Sequence, residues 1–263
     1  MDQADVLVAA KRGHNLFVTG YPGTGKTFIL NQCKQELLEM NKRVAMTAST
    51  GTASTHIGGT TFHSWSCVGR QTEKELFADG GIFNINEYRR KIIKKTDVLI
   101  IDEISMIHEY QLRALDNICC EVRGDNSLPF GGLQVILSGD FFQLPPVSDG
   151  EARFVFESQS WNRWTFNICY LTKSFRQSSD ADLFNILMEI RDGNVSQNSI
   201  NLLSTRLNVP IAGTEKPVRL FSKNIAVDHL NKQELDKLST KLYSYTMKTY
   251  GNDKYAVDNL IKG

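Results

Sequence analysis

Gly20-Tyr21-Pro22-Gly23-Thr24-Gly25-Lys26-Thr27 decides the reading of this chain. It meets every fixed position of the pattern G-x-x-x-x-G-K-[ST]. Ahead of it, Leu16-Phe17-Val18-Thr19 predicts a short buried strand. Behind it, residues 28–40 predict a helix with Phe28, Ile29, Leu37 and Leu38 facing inward. Strand, glycine loop and helix together make an anion site. Gly20, Gly23, Thr24 and Gly25 let backbone N–H groups close around phosphate oxygens, and the helix N-terminus adds its positive end. Lys26 is placed to reach the β- and γ-phosphates of a nucleotide, and the Thr27 hydroxyl to ligate Mg²⁺.

The chain has 263 residues, enough for one large domain or two ordinary ones. With 41% hydrophobic and 22% charged residues it reads as globular, neither disordered nor fibrous. The net charge of +1 speaks neither for nor against a nucleic-acid partner, and any basic surface must be local. Cys33, Cys67, Cys119, Cys120 and Cys169 show no metal-ligand spacing. They predict reduced, mostly buried thiols of an intracellular protein, cytosolic or nuclear. No apolar run has the length of a membrane span, and the first residues do not open as a signal peptide.

In chain order, Gln3 precedes a helical pattern of Val6, Leu7 and Ala10 that ends at Gly13. An amide upstream of a phosphate loop suits an adenine edge, although a surface glutamine commonly has no such role. Residues 44–48 predict a second strand. The hydroxyl-rich Ser49-Thr50-Gly51-Thr52-Ala53-Ser54 can offer donors to phosphates, or can equally start a capped helix. Gly58-Gly59-Thr60-Thr61-Phe62-His63-Ser64-Trp65 sets aromatics beside polar donors. That suits a single nucleic-acid strand, but by itself the stretch reads more readily as a buried aromatic corner. Residues 70–96 are polar and read as an insertion carrying a small basic patch, or a solvated helix face.

Asp97-Val98-Leu99-Ile100-Ile101-Asp102-Glu103 is the second strong signal. An apolar strand delivers two carboxylates at its C-terminal end, where α/β sheets place ligands. Downstream of a phosphate loop, Asp102 suits Mg²⁺ and Glu103 suits the polarisation of an attacking water. Leu112, Leu115, Ile118, Cys119 and Val122 then predict a helix, and residues 134–138 a buried strand. That strand runs into Gly139-Asp140-Phe141-Phe142-Gln143-Leu144-Pro145-Pro146. Gln143 has the chemistry of a γ-phosphate sensor there, and a plain strand-to-loop turn explains the stretch equally well. Residues 168–171 predict a fifth strand, before Lys173-Ser174-Phe175-Arg176-Gln177. Leu183, Ile186, Leu187 and Ile190 predict a helix capped by Gly193, and Ile200, Leu202, Leu203 and Leu207 another. Residues 210–217 read as a linker. Val218-Arg219-Leu220-Phe221 then predicts a strand, followed by a helix with Leu230, Leu235 and Leu238.

This ordered set resembles the PIF (petite integration frequency) family of superfamily 1B DNA helicases, relatives of RecD, over nearly the whole chain. The matching stretches are Gln3 with its helix, residues 20–27, 47–51 and 59–64, Asp102-Glu103-Ile104-Ser105-Met106, residues 130–134, 139–147 and 171–177, and Asn224 with the helix after it. The resemblance implies a RecA-like α/β domain with a parallel sheet, a small insertion and an incomplete second RecA-like domain. It divides the chain into a first ATPase domain over 1–175, with a wedge-like insert at 70–96, a helical connection over 176–217, and the start of a second domain over 218–263. It implies ATP hydrolysis coupled to 5′-to-3′ movement along single-stranded DNA and unwinding of forked or tailed duplexes. Lys26 and Thr27 map to phosphate and Mg²⁺ binding, Asp102 and Glu103 to Mg²⁺ and catalysis, and Gln3 to the nucleotide. The match over 139–147 favours Gln143 as the γ-phosphate sensor, and Arg176 maps to a phosphate-contacting arginine. Thr50, Gly51, Thr61 and His63 fall in the motifs that track DNA. The family's later motifs, including a second arginine from the distal domain, have no match here. The missing C-terminal helicase part is therefore expected in cis or as a partner chain. Two functions of different class follow: a helicase motor, or a module that grips ATP and DNA without translocating. A phosphate-loop ATPase with no nucleic-acid substrate is disfavoured by the matches at 47–51 and 59–64.

Overall fold

In this computed structural model the described residues are 3–69, 71–78, 83, 85–148, 151–173, 181–209, 217–241 and 243–245. The elements run α1 (Gln3–Lys11), β1 (Leu16–Gly20), α2 (Lys26–Glu39), β2 (Val44–Ala48), α3 (Gly51–His56), β3 (Thr60–Thr61), α4 (Phe62–Ser66), α5 (Glu73–Leu76), α6 (Glu87–Lys95), β4 (Val98–Asp102), α7 (Glu109–Arg123), β5 (Gln134–Ser138), β6 (Asn167–Leu171), α8 (Ala181–Arg191), α9 (Gln197–Ser204) and α10 (Asn224–Asp236). The chain divides into two compact units, residues 1–202 and 203–263.

The first unit is built on a six-stranded sheet in the order β3-β2-β4-β5-β1-β6. All of its strand pairs are parallel. A parallel sheet needs crossovers on both faces, so its strands are buried on both sides. The period of two sorts each strand between two cores. On one face Phe17, Leu99, Ile101, Val135 and Leu137 pack with Leu112, Leu115 and Ile118 of α7. On the other, Leu16, Val18, Val98, Ile100 and Ile136 pack with Val6 of α1 and Ile29, Leu30, Cys33 and Leu37 of α2. Leu99, Ile100 and Ile101 are completely buried. Each such side chain contributes about 1.5–3 kcal/mol of transfer free energy.

Among the described residues the predicted strands and helices form, with three corrections. The fifth predicted strand is the sixth, because Thr60–Thr61 pairs with β2 as an edge strand too short to show a period. The second correction concerns α2, which starts at Lys26, and whose buried stripe is Ile29, Leu30, Cys33 and Leu37. Phe28 and Leu38 stand 58% and 44% exposed, one step round the helix from that stripe. In the second unit, residues 218–221 form no strand, and Val218 and Leu220 are more than nine-tenths exposed. A short stretch of strand-forming residues becomes a strand only where a neighbouring strand takes up its backbone hydrogen bonds, and none is described beside it. The helix expected after it is α10.

Thr50 caps α3, accepting from the Ala53 amide at 3.2 Å, and Thr61 caps α4 through the Ser64 amide at 3.2 Å. Phe62 and Trp65 of α4 are buried, so the aromatic corner forms. In α6 the apolar side of a basic helix buries Ile93, while Arg90 pairs with Glu121 at 2.5 Å. Cys67 is the exposed exception among the five cysteines; the other four are buried, and all are free thiols. No described helix is long and apolar enough to cross a membrane.

Candidate nucleotide site and nucleic-acid interface

Strands β4, β5 and β1 are consecutive in the sheet and end at one edge, at Asp102, Ser138 and Gly20. The phosphate loop with Lys26 and Thr27, the Asp102-Glu103 pair and the Gln143 loop follow these three strand ends. Gly20 has φ +145°, and a Cβ there would lie 2.2 Å from the Leu171 carbonyl oxygen, so only glycine lets β1 leave the sheet here. Gly25, at φ +80°, turns the loop into the first residue of α2.

The loop between them closes on itself. The buried Thr24 hydroxyl donates to the Tyr21 carbonyl at 2.8 Å, and the Gln3 amide donates to the Thr24 carbonyl at 3.3 Å. Gln3 therefore touches the phosphate loop, although it lies on a different element. Lys26 Nζ donates to the carbonyls of Gly20 (3.0 Å) and Tyr21 (3.1 Å). Burial pushes the Lys26 ammonium below its ordinary value, against the pull of Asp140, Glu103 and Asp102.

Thr27 Oγ1 donates to Asp102 Oδ2 at 3.1 Å, and the other Asp102 oxygen accepts from the Glu103 amide at 3.0 Å. A hydroxyl and a carboxylate oxygen side by side are hard donors. They fit Mg²⁺, which takes one or two protein oxygens and fills its octahedron with phosphates and water. Glu103 sits in the left-handed region at φ 55°, ψ 47°. Such a backbone costs of order 1–3 kcal/mol in a non-glycine residue and clusters at functional sites. Burial, then the Asp102 charge, pushes the Glu103 carboxyl above the usual carboxylate range, with Lys26 pulling the other way. That is the environment of a group that takes and returns a proton.

After β5 the chain turns at Asp140, whose carbonyl accepts from the Gln143 amide at 2.9 Å. Gln143 is exposed, and with Glu103, Ser105, Thr50, His56 and Leu144 it lines a cleft of about 680 Å³. The structure thus gathers Gln3, the loop residues, Lys26, Thr27, Asp102, Glu103 and Gln143 at one sheet edge. Arg176 lies outside the described residues.

Strands β2 and β3 are neighbours, with Ala48 opposite Thr61. Thr50, Gly51 and Thr61 therefore leave the same sheet edge beside the cleft. His63, half-buried, has its Nε2 3.4 Å from the Gln111 amide nitrogen. Gln111 also donates to the Gly69 carbonyl at 3.2 Å and accepts from the His108 amide at 3.1 Å. His108 Nε2 in turn lies 3.0 Å from the Val147 carbonyl. A polar chain therefore ties the His63 helix to the loop that follows Gln143. Sequence reading missed Gln111 and His108, whose pattern signals only a helix start. It also missed Asp140 and Arg191, which form a buried ion pair with contacts of 2.7 and 2.8 Å. Asp140 carries the same signal as Asp102, a carboxylate just past an apolar strand.

Comparison with known proteins bears on this arrangement. A family model described as PIF1-like helicase matches residues 1–201. The ATP-dependent DNA helicase Pif1 of Psychrobacter sp. (strain PRwf-1) is 41% identical over 274 residues, covering 97% of this chain and 40% of the relative. The human ATP-dependent DNA helicase PIF1 is 34% identical, over 93% of this chain and 38% of its own length. The chain thus spans well under half of these curated relatives. A crystal structure of Pif1 helicase from Candida albicans superposes with a TM-score of 0.83 at 33% identity, over 99% of this chain and 60% of that one. Pif1 helicase from Bacteroides in complex with ADP-AlF3 and ssDNA superposes with a TM-score of 0.76 at 28% identity, over 91% of this chain and 57% of that one. The six-stranded parallel sheet is that of the Pif1 RecA-like domains, and the family match covers most of the chain. By sheet, motif order and family match together, this chain belongs to the PIF1-like helicases.

Proposed function

We propose that this chain is ATP-hydrolysing motor machinery of a 5′-to-3′ DNA helicase. The observation that carries the proposal is the convergence of Lys26, Thr27, Asp102 and Glu103 at one sheet edge, with a cleft leading from Glu103 to Thr50. The names of the relatives, ATP-dependent DNA helicases, and the ssDNA-bound Bacteroides structure support the substrate class.

In this reading Gly20, Gly23, Thr24 and Gly25 present N–H groups to the phosphates, and Gln3 holds the adenine edge from beside Thr24. Lys26 exchanges its two carbonyl partners for β- and γ-phosphate oxygens. Thr27 and Asp102 hold Mg²⁺, which when bound neutralises charge developing on the phosphates. Glu103 orients and deprotonates the attacking water, and its raised pKa suits that transfer. Gln143 contacts the γ-phosphate, and Arg176 adds a positive charge to it. Thr50, Gly51, Thr61 and His63 hold single-stranded DNA along the neighbouring strand ends, by phosphate contacts that carry no sequence information. Residues 1–175 form the ATPase domain, with 70–96 as an insert, 176–217 as connection and 218–263 as the start of a second RecA-like domain. Unwinding of a forked or tailed duplex needs the remaining helicase length, in cis or as a partner chain.

The test is the ATPase rate of the chain with and without single-stranded DNA, alongside strand displacement on a 5′-tailed duplex. DNA-stimulated turnover is expected. Binding of ATP and DNA without turnover marks a non-translocating module, and DNA-independent turnover overturns the nucleic-acid reading.

A further inference from the structure

The Asp140–Arg191 pair joins two elements of the first unit that no catalytic motif connects. Arg191 closes the last turn of α8, and Asp140 opens the loop that carries Gln143. Arg191 Nη1 donates to Asp140 Oδ2 at 2.7 Å and Nη2 to Oδ1 at 2.8 Å, a fork-to-fork match. The same Oδ1 accepts from the Phe142 amide at 3.1 Å. The side chains are 9% and 1% exposed. Burial alone would raise the Asp140 carboxyl, but the Arg191 bonds, the Phe142 amide and the charges of Arg191 and Lys26 together push it below its ordinary value.

The guanidinium does more than neutralise Asp140. Its central carbon lies 4.1 Å from the centre of the Phe142 ring and 5.2 Å from that of Tyr21. Tyr21 belongs to the phosphate loop and packs edge-on against Tyr170 of β6 at 5.8 Å. One planar cation therefore touches the phosphate loop through Tyr21 and the Gln143 loop through Asp140 and Phe142. A lysine could supply the charge, but neither the fork nor the planar stack.

We propose that Arg191 is a positioning residue that holds the Gln143 loop in register with the phosphate loop. It thereby sets the preference of the site for a nucleoside triphosphate over a diphosphate. This rests on Gln143 as the γ-phosphate contact. A diphosphate uses the phosphate loop alone, whereas a triphosphate needs both loops at a fixed separation. Loosening their register should weaken the triphosphate selectively.

The test is equilibrium binding of Mg²⁺-ADP and of a Mg²⁺-ATP analogue with a β,γ-methylene bridge. The proteins are the full chain, Gln143→Ala, Arg191→Lys, Arg191→Met and the Gln143→Ala/Arg191→Met double variant. Gln143→Ala should lower the analogue-to-ADP affinity ratio about tenfold or more, as for loss of a hydrogen bond to a charged group. Arg191→Met should lower the ratio comparably, with ADP affinity held within about twofold. The double variant should fall no further. Arg191→Lys keeps Asp140 paired, carries the test if the Met variant fails to fold, and should lower the ratio part of the way. An unchanged ratio in Gln143→Ala overturns the sensor reading and the positioning proposal with it. A lowered ratio in Gln143→Ala but an unchanged one in the Arg191 variants overturns the positioning proposal alone. So does an equal loss of both nucleotides, or an additive loss in the double variant, since either marks a merely structural pair.

Discussion

Thr27 at the start of α2 and Asp102 at the end of β4 are 75 residues apart in sequence and hydrogen-bonded at 3.1 Å. Neither is placed by the other's local structure. They meet because β1 and β4 flank β5 in a parallel sheet, so that the chain segments leaving them overhang the same edge.

That contact defines the candidate Mg²⁺ site. Asp102→Asn keeps the shape but removes the charged oxygen. Nucleotide affinity measured with Mg²⁺ and with EDTA should differ strongly in the parent chain. In the variant the difference should shrink about tenfold or more, a loss on the scale of one charged contact. An undiminished Mg²⁺ effect would place the metal elsewhere.

Lys26→Ala deletes the cation that now bonds the Gly20 and Tyr21 carbonyls. Isothermal titration should show ATP affinity sharply weakened, with hydrolysis lost. The fold should survive, because Gln3 and Thr24 brace the same loop independently. Unchanged affinity together with unchanged hydrolysis would sink the phosphate-loop assignment.

Glu103→Gln removes the base and keeps the geometry. ATP should still bind, while turnover falls by about 10²–10⁴. The same substitution should raise Tm at pH 7. With its carboxyl pushed above the ordinary value, Glu103 favours the native state in its protonated form. Its contribution therefore declines as pH rises from the ordinary carboxylate value through the raised one. Glutamine has no such penalty, so the Tm advantage should vanish below about pH 4, where both states are protonated. A lower Tm at pH 7 would contradict the buried-base reading.

Asp97 shows the opposite sign. Arg43 grips it through Nε and Nη2, both at 3.0 Å, and the Arg43 amide adds a third bond at 2.8 Å. These bonds hold its carboxyl at about 2. The contact ties the start of β2 to that of β4. Its stabilisation is present above the ordinary carboxylate value and is lost as pH falls toward about 2. Asp97→Asn should lower Tm at neutral pH, with the gap closing on acidification. A gap independent of pH would show that packing, not charge, ties the strands.

Asp116, 1% exposed, is the polar hub of the core on the α7 face of the sheet. It accepts from the Phe130 amide at 2.6 Å, Trp164 Nε1 at 2.8 Å and Arg163 at 2.6 Å. Asp116→Ala strands the buried Phe130 amide and Trp164 Nε1, while the part-exposed Arg163 keeps the Asn126 carbonyl, and should cost about 2–5 kcal/mol in urea unfolding. Tryptophan fluorescence gives the readout. A loss below about 1 kcal/mol would mean that the donors find other partners.

Much of the site was legible in the sequence because its chemistry is carried by contiguous stretches. Residues 20–27 encode strand, turn and helix start within one short run, and an apolar strand ending in Asp102-Glu103 needs no distant context. Backbone sterics, capping and the period of two act over a few residues, so they can be read along the chain. The hydroxyl run at 49–54 is ambiguous in sequence because one side-chain oxygen can serve a helix end or a phosphate; the fold shows Thr50 capping α3.

What only the tertiary structure decided is what depends on distant partners. Helical spacing alone cannot tell Phe28 from Ile29; packing against α1 and the sheet buries Ile29 and leaves Phe28 outside. Residues 218–221 have the composition of a strand, and no strand among the described residues pairs with them. Asp140 and Arg191 are 51 residues apart, and nothing local to either announces the pair. A buried charge is tolerable only where another part of the chain brings its counter-charge. That meeting is set by the strand order and by the docking of α8, and neither is written in any single stretch of sequence.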